Sequence, residues 1–222
     1  MIGVQHALGF STFVKDEMRA LPELLDLIVN RFDDVVVVDT GSTDGTWEML
    51  RTREGQGQLR PYRICVPFDA QHFHFGYIRS MAAHLCHTDW VMMLDADERM
   101  KPEDLDKLRG EVIRAHAMGA KCLSFPRYNW LDGPPGTNYN ESSYPDLQAR
   151  CILNNGSVWW RRPVHEVVIH SGPYVAMPPM IVSGLHIHHF HDHFRKAKGD
   201  DGSWVKTYAE LAKADPEWTR TY

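Results

Sequence analysis

Cysteine is scarce. The 222 residues hold four, Cys65, Cys86, Cys122 and Cys151, without the paired spacing of a zinc site. A disulfide framework is thereby excluded, and a reducing compartment is the simpler setting. No apolar stretch approaches the roughly 20 residues that a membrane span needs. Met1 to His6 has no cationic segment leading into an apolar one, so no signal peptide is expected and a cytoplasmic setting is the default. No lysine- or arginine-rich run occurs. With 24 basic against 29 acidic residues and a net charge of -5, general binding along a nucleic-acid backbone is disfavoured. Repeats and low-complexity linkers are also missing, so collagen-like, coiled-coil and wholly disordered chains drop out.

What remains is an ordinary globular composition, 43% hydrophobic and 24% charged. A chain of this length buries about 70% of its unfolded surface and needs no staples. Ala7 to Val14 predicts a first strand. Met18 to Asn30 predicts a helix, with Met18, Leu21, Leu24, Leu25 and Ile28 at helical spacing. Val35 to Val38 is β-branched without alternation, the mark of a strand buried on both faces. Further strands are expected at Arg63 to Val66 and Trp90 to Leu94. Helices are expected from Thr46 to about Arg53, from Tyr77 to Cys86 (Ile78, Met81, Ala82 and Leu85 inward) and from Pro102 to Met118. Alternating strand and helix argue for an α/β fold on an open, mainly parallel sheet. The second half differs. Ser124 to Tyr144 is rich in Pro and Gly and predicts loops. Gln148 to Leu153 and Ser157 to Trp160 predict a hairpin about Asn154-Asn155-Gly156, and a last helix is expected over Trp204 to Ala214.

Ligands of open α/β sheets sit beyond the carboxyl ends of the strands. Two acidic features fall there. Asp39 ends the valine strand and leads into Thr40-Gly41-Ser42-Thr43-Asp44-Gly45-Thr46. Asp95-Ala96-Asp97-Glu98 follows the strand from Trp90. Asp44 is equally explained as turn chemistry. The second cluster is harder to explain as a solvated loop, because three carboxylates directly after a buried strand repel one another. A divalent cation relieves that repulsion, and hard oxygen ligands suit Mg²⁺ or Mn²⁺.

Val37 to Thr46 resembles the nucleotide-binding signature of family 2 glycosyltransferases, which have the GT-A fold. Phe13-Val14-Lys15-Asp16-Glu17 resembles that family's first strand and its ending, with Asp16 where Asn is commoner. Phe75 to Ala83, centred on Arg79, resembles its Arg-Asn-x-Ala helix, with Ser80 in place of Asn. Asp89 to Glu98 is similar to its Asp-x-Asp strand and loop. Tyr144 to Arg150 and Val164-His165-Glu166 resemble a subgroup that includes lipopolysaccharide-core glucosyltransferases and peptide S-glycosyltransferases. The resemblance implies a GT-A (Rossmann-like) domain over residues 1–190, with a helical extension over 191–222. It implies a nucleotide-sugar donor, a UDP-sugar by preference, and a Mn²⁺ or Mg²⁺ ion. By the family pattern Asp97 ligates the metal and Asp95 bonds the ribose or reaches the metal through water. Phe13, Asp39, Asp44 and Arg79 then line the nucleotide.

Five of the 13 histidines fall in His186 to His193. Zinc is disfavoured there, since no Cys pair or established His/carboxylate spacing accompanies them. In related enzymes a late histidine completes the metal site. His188 is the first choice and His186 the second, on alternate positions of a strand-like Gly184 to His188. An inverting transfer needs a general base. Glu166 is the preferred candidate and Asp146 the competitor; an ion pair with Arg161 or Arg162 is the structural alternative for Glu166. Trp130, Trp159 and Trp160 suit either a sugar wall or packing. Two other functions stay open at this level, a nucleotidyltransferase and a silent nucleotide-sugar-binding module. The first usually has a Gly-rich basic loop after its first strand, where Lys15-Asp16-Glu17 stands here. The acceptor (glycan, peptide, small molecule or modified nucleobase) is not encoded in any motif.

Overall fold

The computed structural model describes residues 6–69, 71–170, 177–198 and 203–214. Its centre follows from the valine run. Strand β2 (Asp34–Asp39) lies between β1 (Leu8–Val14) and β3 (Arg60–Arg63), parallel to both, and β1 also pairs in parallel with β4 (Trp90–Met93). Val35 and Val37 enter one core and Val36 and Val38 the other. The lack of alternation in the sequence is therefore the signature of a sheet covered on both sides. Helix α1 (Leu21–Ile28) buries Leu21, Leu24, Leu25 and Ile28 in the first core, each contributing about 1.5–3 kcal/mol. Helix α4 (Pro102–Ala117) adds Leu105, Leu108, Val112 and Ala115 there. The second core lies under α3 (Phe75–His84), through Ala82 and Ala83.

The sheet then continues away from β4. Its full order is β3-β2-β1-β4-β7-β6-β11-β5, with β7 (Asp146–Leu153) antiparallel to β4 and to β6 (Cys122–Asn129). Two late strands, β10 (Met180–Val182) and β11 (Ile187–His189), pair in parallel with successive stretches of β6, and β11 also pairs antiparallel with the short β5 (Glu98–Arg99). A separate ribbon joins β8 (Val158–Arg161) to β9 (Val167–His170). Helices α2 (Thr46–Gly55), α5 (His191–Lys198) and α6 (Ser203–Ala214) complete the described elements. No helix among the described residues is long and apolar enough to cross a membrane.

Several sequence expectations are corrected. The third strand is Arg60–Arg63, ahead of the expected Arg63 to Val66; Pro61 is accommodated because β3 has one neighbour. The segment from Ser124 is not loop at first but continues β6 through Pro126. That residue falls between the stretches paired with β10 and β11, so its missing N–H interrupts no ladder on that side. The expected hairpin does not form: β7 pairs with β4 and β6, and β8 with β9. Helix α1 starts at Leu21, leaving Met18 at the surface. Met81 is also on the outer side of α3, and Arg79 and Ser80 are buried in its place.

Candidate active site

The carboxyl ends of β1 and β2 are sewn together by side chains from the turn after β2. Ser42 Oγ accepts the Asp16 N–H at 2.8 Å, Thr46 Oγ1 the Glu17 N–H at 3.0 Å, and Asp44 Oδ2 the Met18 N–H at 3.0 Å. In return Asp16 Oδ1 accepts the Thr43 N–H at 2.6 Å. Asp44 also takes the Thr46 N–H and hydroxyl at the head of α2. Burial raises its carboxyl, but these bonds outweigh burial and leave it below its ordinary value. Asp44 is thus placed as a staple between two loops. Gly45 has φ +96°, a conformation that favours glycine. Asp39 is fully buried. Its Oδ1 accepts the Gly41 and Ser42 N–H groups, each at 2.9 Å, and Arg63 Nε lies 3.5 Å away. Its Oδ2 is buried without a hydrogen-bond partner, which marks an acceptor suited to an incoming donor group.

At the end of β4 the acidic cluster divides. Glu98 has no exposed surface and is gripped by Arg127 and Arg150. Desolvation raises its carboxyl, yet the two guanidiniums hold it far below the usual range. Asp95 gives Oδ1 to Arg79 Nη2 at 2.9 Å and Oδ2 to Arg150 Nη2 at 2.8 Å. Asp97 stands apart from the arginines. Its Oδ2 lies 3.5 Å from His189 Nε2 and 3.3 Å from His191 Nδ1, and one ligand atom from each of the three lies within 4.8 Å of the others. Burial raises the Asp97 carboxyl, but the two imidazoles hold it well below the ordinary value. Backbone pairing creates the trio. His189 sits opposite Glu98 in the β5–β11 ladder, and the Phe190 N–H donates to the Asp97 carbonyl at 3.0 Å, turning His191 back toward the carboxylate at the head of α5.

The geometry therefore brings His189 and His191 to Asp97, where the sequence pattern favoured His188 or His186. Neighbours on a strand face opposite sides. His188 accepts the Trp130 indole N–H at 3.0 Å and stacks on that ring at 5.7 Å, and burial lowers its pKa to about 4. His186 Nε2 lies 3.1 Å from the Tyr144 hydroxyl.

The two candidate bases differ in their surroundings. Asp146 Oδ2 accepts from Arg127 Nε and Nη2 at 2.9 and 2.6 Å and from Asn129 Nδ2 at 3.0 Å, while Oδ1 accepts from Gln148 at 2.7 Å. Burial raises that carboxyl, but Arg127 and the amides bring it below normal. Among the described residues Glu166 pairs with Arg79, whose Nε lies 3.2 Å from Oε1, where the structural alternative had offered Arg161 or Arg162.

The profile of the glycosyl transferase family 2 matches residues 13–160, well over half of the chain and spanning Asp39, Asp95 and Asp97. The chain belongs to that family. A TPR repeat-containing protein of Synechococcus elongatus is 27% identical over 71% of this chain and 34% of its own length. An uncharacterized glycosyltransferase of Rickettsia prowazekii is 31% identical over 44% of this chain and 31% of its own. The glycosyltransferase SunS of Bacillus subtilis is 22% identical over 72% and 35%. The chain thus spans about a third of the length of the curated relatives it matches. Among solved structures, S. aureus TarS 1-349 superposes with a TM-score of 0.54 at 10% identity, covering 95% of this chain and 81% of that one. The fold is the mixed α/β GT-A arrangement.

The family 2 domain also contains functional candidates that motif reading passed over. His189 and His191 were visible in the histidine run, but their choice depends on where β11 ends. Arg150 and Arg127 reach the acidic loop from β7 and β6, and no local spacing connects them to it. Of the three tryptophans weighed as sugar walls, Trp160 is buried with its indole N–H on the Ala149 carbonyl, Trp130 is stacked on His188, and Trp159 packs edge-on against His84.

Proposed function

We propose that this family 2 domain transfers a sugar, with inversion, from a UDP-sugar to a nucleophilic acceptor, using a divalent cation. The observation that carries the proposal is the Asp97–His189–His191 trio at the end of β4. One carboxylate oxygen and two imidazole nitrogens make a donor set for a divalent transition metal, Mn²⁺ in preference to the all-oxygen ion Mg²⁺, and Asp97 is outside the ion pairs by which arginines neutralise Asp95 and Glu98. When bound, such an ion offsets the charge that develops on a departing diphosphate. The unpartnered Asp39 Oδ2 suits an N–H of the base or a hydroxyl of the ribose, and Phe13 pairs with Val38, the residue before Asp39, in the β1–β2 ladder. TarS 1-349 crystallised with UDP has the same fold, at a TM-score of 0.52 and 12% identity over 94% of this chain and 65% of that one, which supports UDP as the nucleotide.

Glu166 is the proton acceptor in this reading. Asp146 is saturated by four donor atoms and has its proton affinity lowered by them, so it suits a structural anchor. A single displacement with a base and no protein nucleophile inverts the anomeric carbon. The test is UDP release from UDP-glucose, UDP-galactose and UDP-N-acetylglucosamine with and without Mn²⁺, followed by assignment of the product anomer. Mn²⁺-dependent release with an inverted product is expected. Release unaffected by chelation, or a retained configuration, overturns the corresponding part of the proposal.

A further inference from the structure

We infer that Arg79 is a positioning residue for Glu166, anchored by Asp95. The inference rests on the proposed role of Glu166 as proton acceptor. Arg79 is 3% exposed and points inward from α3. Its Nε meets Glu166 Oε1 at 3.2 Å and its Nη2 meets Asp95 Oδ1 at 2.9 Å, while the Phe13 ring lies 5.2 Å beneath the guanidinium carbon. Asp95 is fixed in turn by Arg150 on its other oxygen. The result is an alternating line of charge, buried at Arg79, Arg150 and Glu98 and half-buried elsewhere: Glu166, Arg79, Asp95, Arg150, Glu98, Arg127, Asp146.

The backbone holds this pair in register. The Phe75 and Gly76 N–H groups donate to the Pro163 and Arg162 carbonyls, each at 3.1 Å. Ser80 Oγ donates to the Trp160 carbonyl at 3.1 Å and accepts the Trp160 N–H at 2.8 Å. The helix bearing Arg79 is thereby tied to the segment leading into Glu166. Arg162 and His165, on either side of that approach, have φ of +84° and +50°. Such conformations are held against their intrinsic cost by surrounding structure and gather at functional sites.

A carboxylate base must be ionised and aimed before the acceptor arrives. An ion pair on one oxygen fixes the direction of the carboxylate and leaves the lone pairs of the other to take a proton. Arginine suits the place better than lysine, because its planar fork grips two carboxylates at once. Other groups also face Glu166: Arg150 from β7 and Tyr208 from α6, the latter beside His165. Among the described residues, Arg79 is the one at hydrogen-bond distance.

The test compares wild type, Arg79→Met, Arg79→Lys, Glu166→Gln and the Arg79→Met/Glu166→Gln double variant. The assay is Mn²⁺-dependent UDP release from the best UDP-hexose over pH 5 to 9, with UDP affinity measured by calorimetry. Glu166→Gln is expected to lower kcat about 10²–10⁴-fold. Arg79→Met should lower it less, by about tenfold or more, and leave KM and UDP affinity within about twofold. In the Glu166→Gln background the same change should cost no more than about twofold, since its effect runs through Glu166. Arg79→Lys, which keeps the charge and guards against misfolding, should restore part of the lost kcat. A tenfold loss of UDP affinity with kcat unchanged overturns the inference in favour of a nucleotide contact. Additive losses in the double variant overturn it as well. If Glu166→Gln matches wild type, Glu166 is no base and the inference falls, while UDP release itself still upholds the transferase reading.

Discussion

Replacing Gly76 by alanine sets two helix effects against each other. Alanine in a helix is favoured over glycine by about 1 kcal/mol. The Cβ it adds at position 76, however, lies 2.8 Å from the Arg161 carbonyl carbon and 2.8 Å from the Arg162 carbonyl oxygen. Both are backbone atoms of the segment hydrogen-bonded to α3, so neither can swing aside as a side chain would. Overpacking of this kind costs about 1–3 kcal/mol, with the upper half expected where backbone must move. The net loss is then about 1–2 kcal/mol, or roughly 2–8 °C in Tm for a chain of this size. The internal control is Gly110→Ala in α4, where an added Cβ meets nothing within 4 Å; it should gain up to about 1 kcal/mol and melt slightly higher. Calorimetric melts of the three proteins decide the matter. UDP release should also fall in Gly76→Ala, because the shift moves Arg79 relative to Glu166. A Gly76→Ala protein that melts with Gly110→Ala and keeps full activity would refute the argued contact between α3 and the approach to Glu166.

Three further outcomes are expected. Asp97→Ala and His191→Ala should raise the Mn²⁺ concentration for half-maximal UDP release by at least about tenfold, whereas His186→Ala should move it less than about twofold; equal effects from all three would contradict the assigned trio. Asp39→Asn should raise the donor KM about tenfold or more with little change in kcat, as loss of a contact made alike in ground and transition states; an unchanged KM removes Asp39 from the nucleotide site. Asp34 is bonded to Arg60 and to the His87 N–H, and although burial raises its carboxyl, these partners lower it overall. Its stabilisation is present above the unfolded value of about 4 and is lost as pH falls through the depressed folded value, so wild-type Tm should drop more steeply than that of Asp34→Asn below about pH 4; parallel curves would show that the pair carries none of the acid sensitivity.

The carboxyl-end motifs were legible because their chemistry is local. A strand that is buried on both faces has to be apolar throughout, so Val35 to Val38 and Trp90 to Met93 announce themselves. The residue that follows such a strand is placed at the sheet edge wherever the strand lies. Asp39, Asp95 and Asp97 therefore needed no tertiary information to be singled out. The same holds for α1 and α4, whose apolar residues recur on one face, and for Asp44, whose bonds fall largely within its own turn and the neighbouring loop.

Roles that depend on partners distant in sequence were not legible. Pro126 reads as loop, and only the pairing of β6 with β7, β10 and β11 shows that a strand passes through it, while the glycines after it do lie outside the strand. β7 and β8 flank a good turn, yet each finds a better partner elsewhere, since strand pairing is decided by what else the core must cover. The choice among five histidines turns on one residue of register in β11, because a shift by one sends every side chain to the opposite face. The sequence by itself determined the layered sheet and the acidic residues at its edge. Tertiary structure alone decided which carboxylate stays clear of these arginines: Arg79, Arg127 and Arg150, brought in from three elements, take up Asp95 and Glu98, while the β5–β11 ladder and the start of α5 bring His189 and His191 to Asp97.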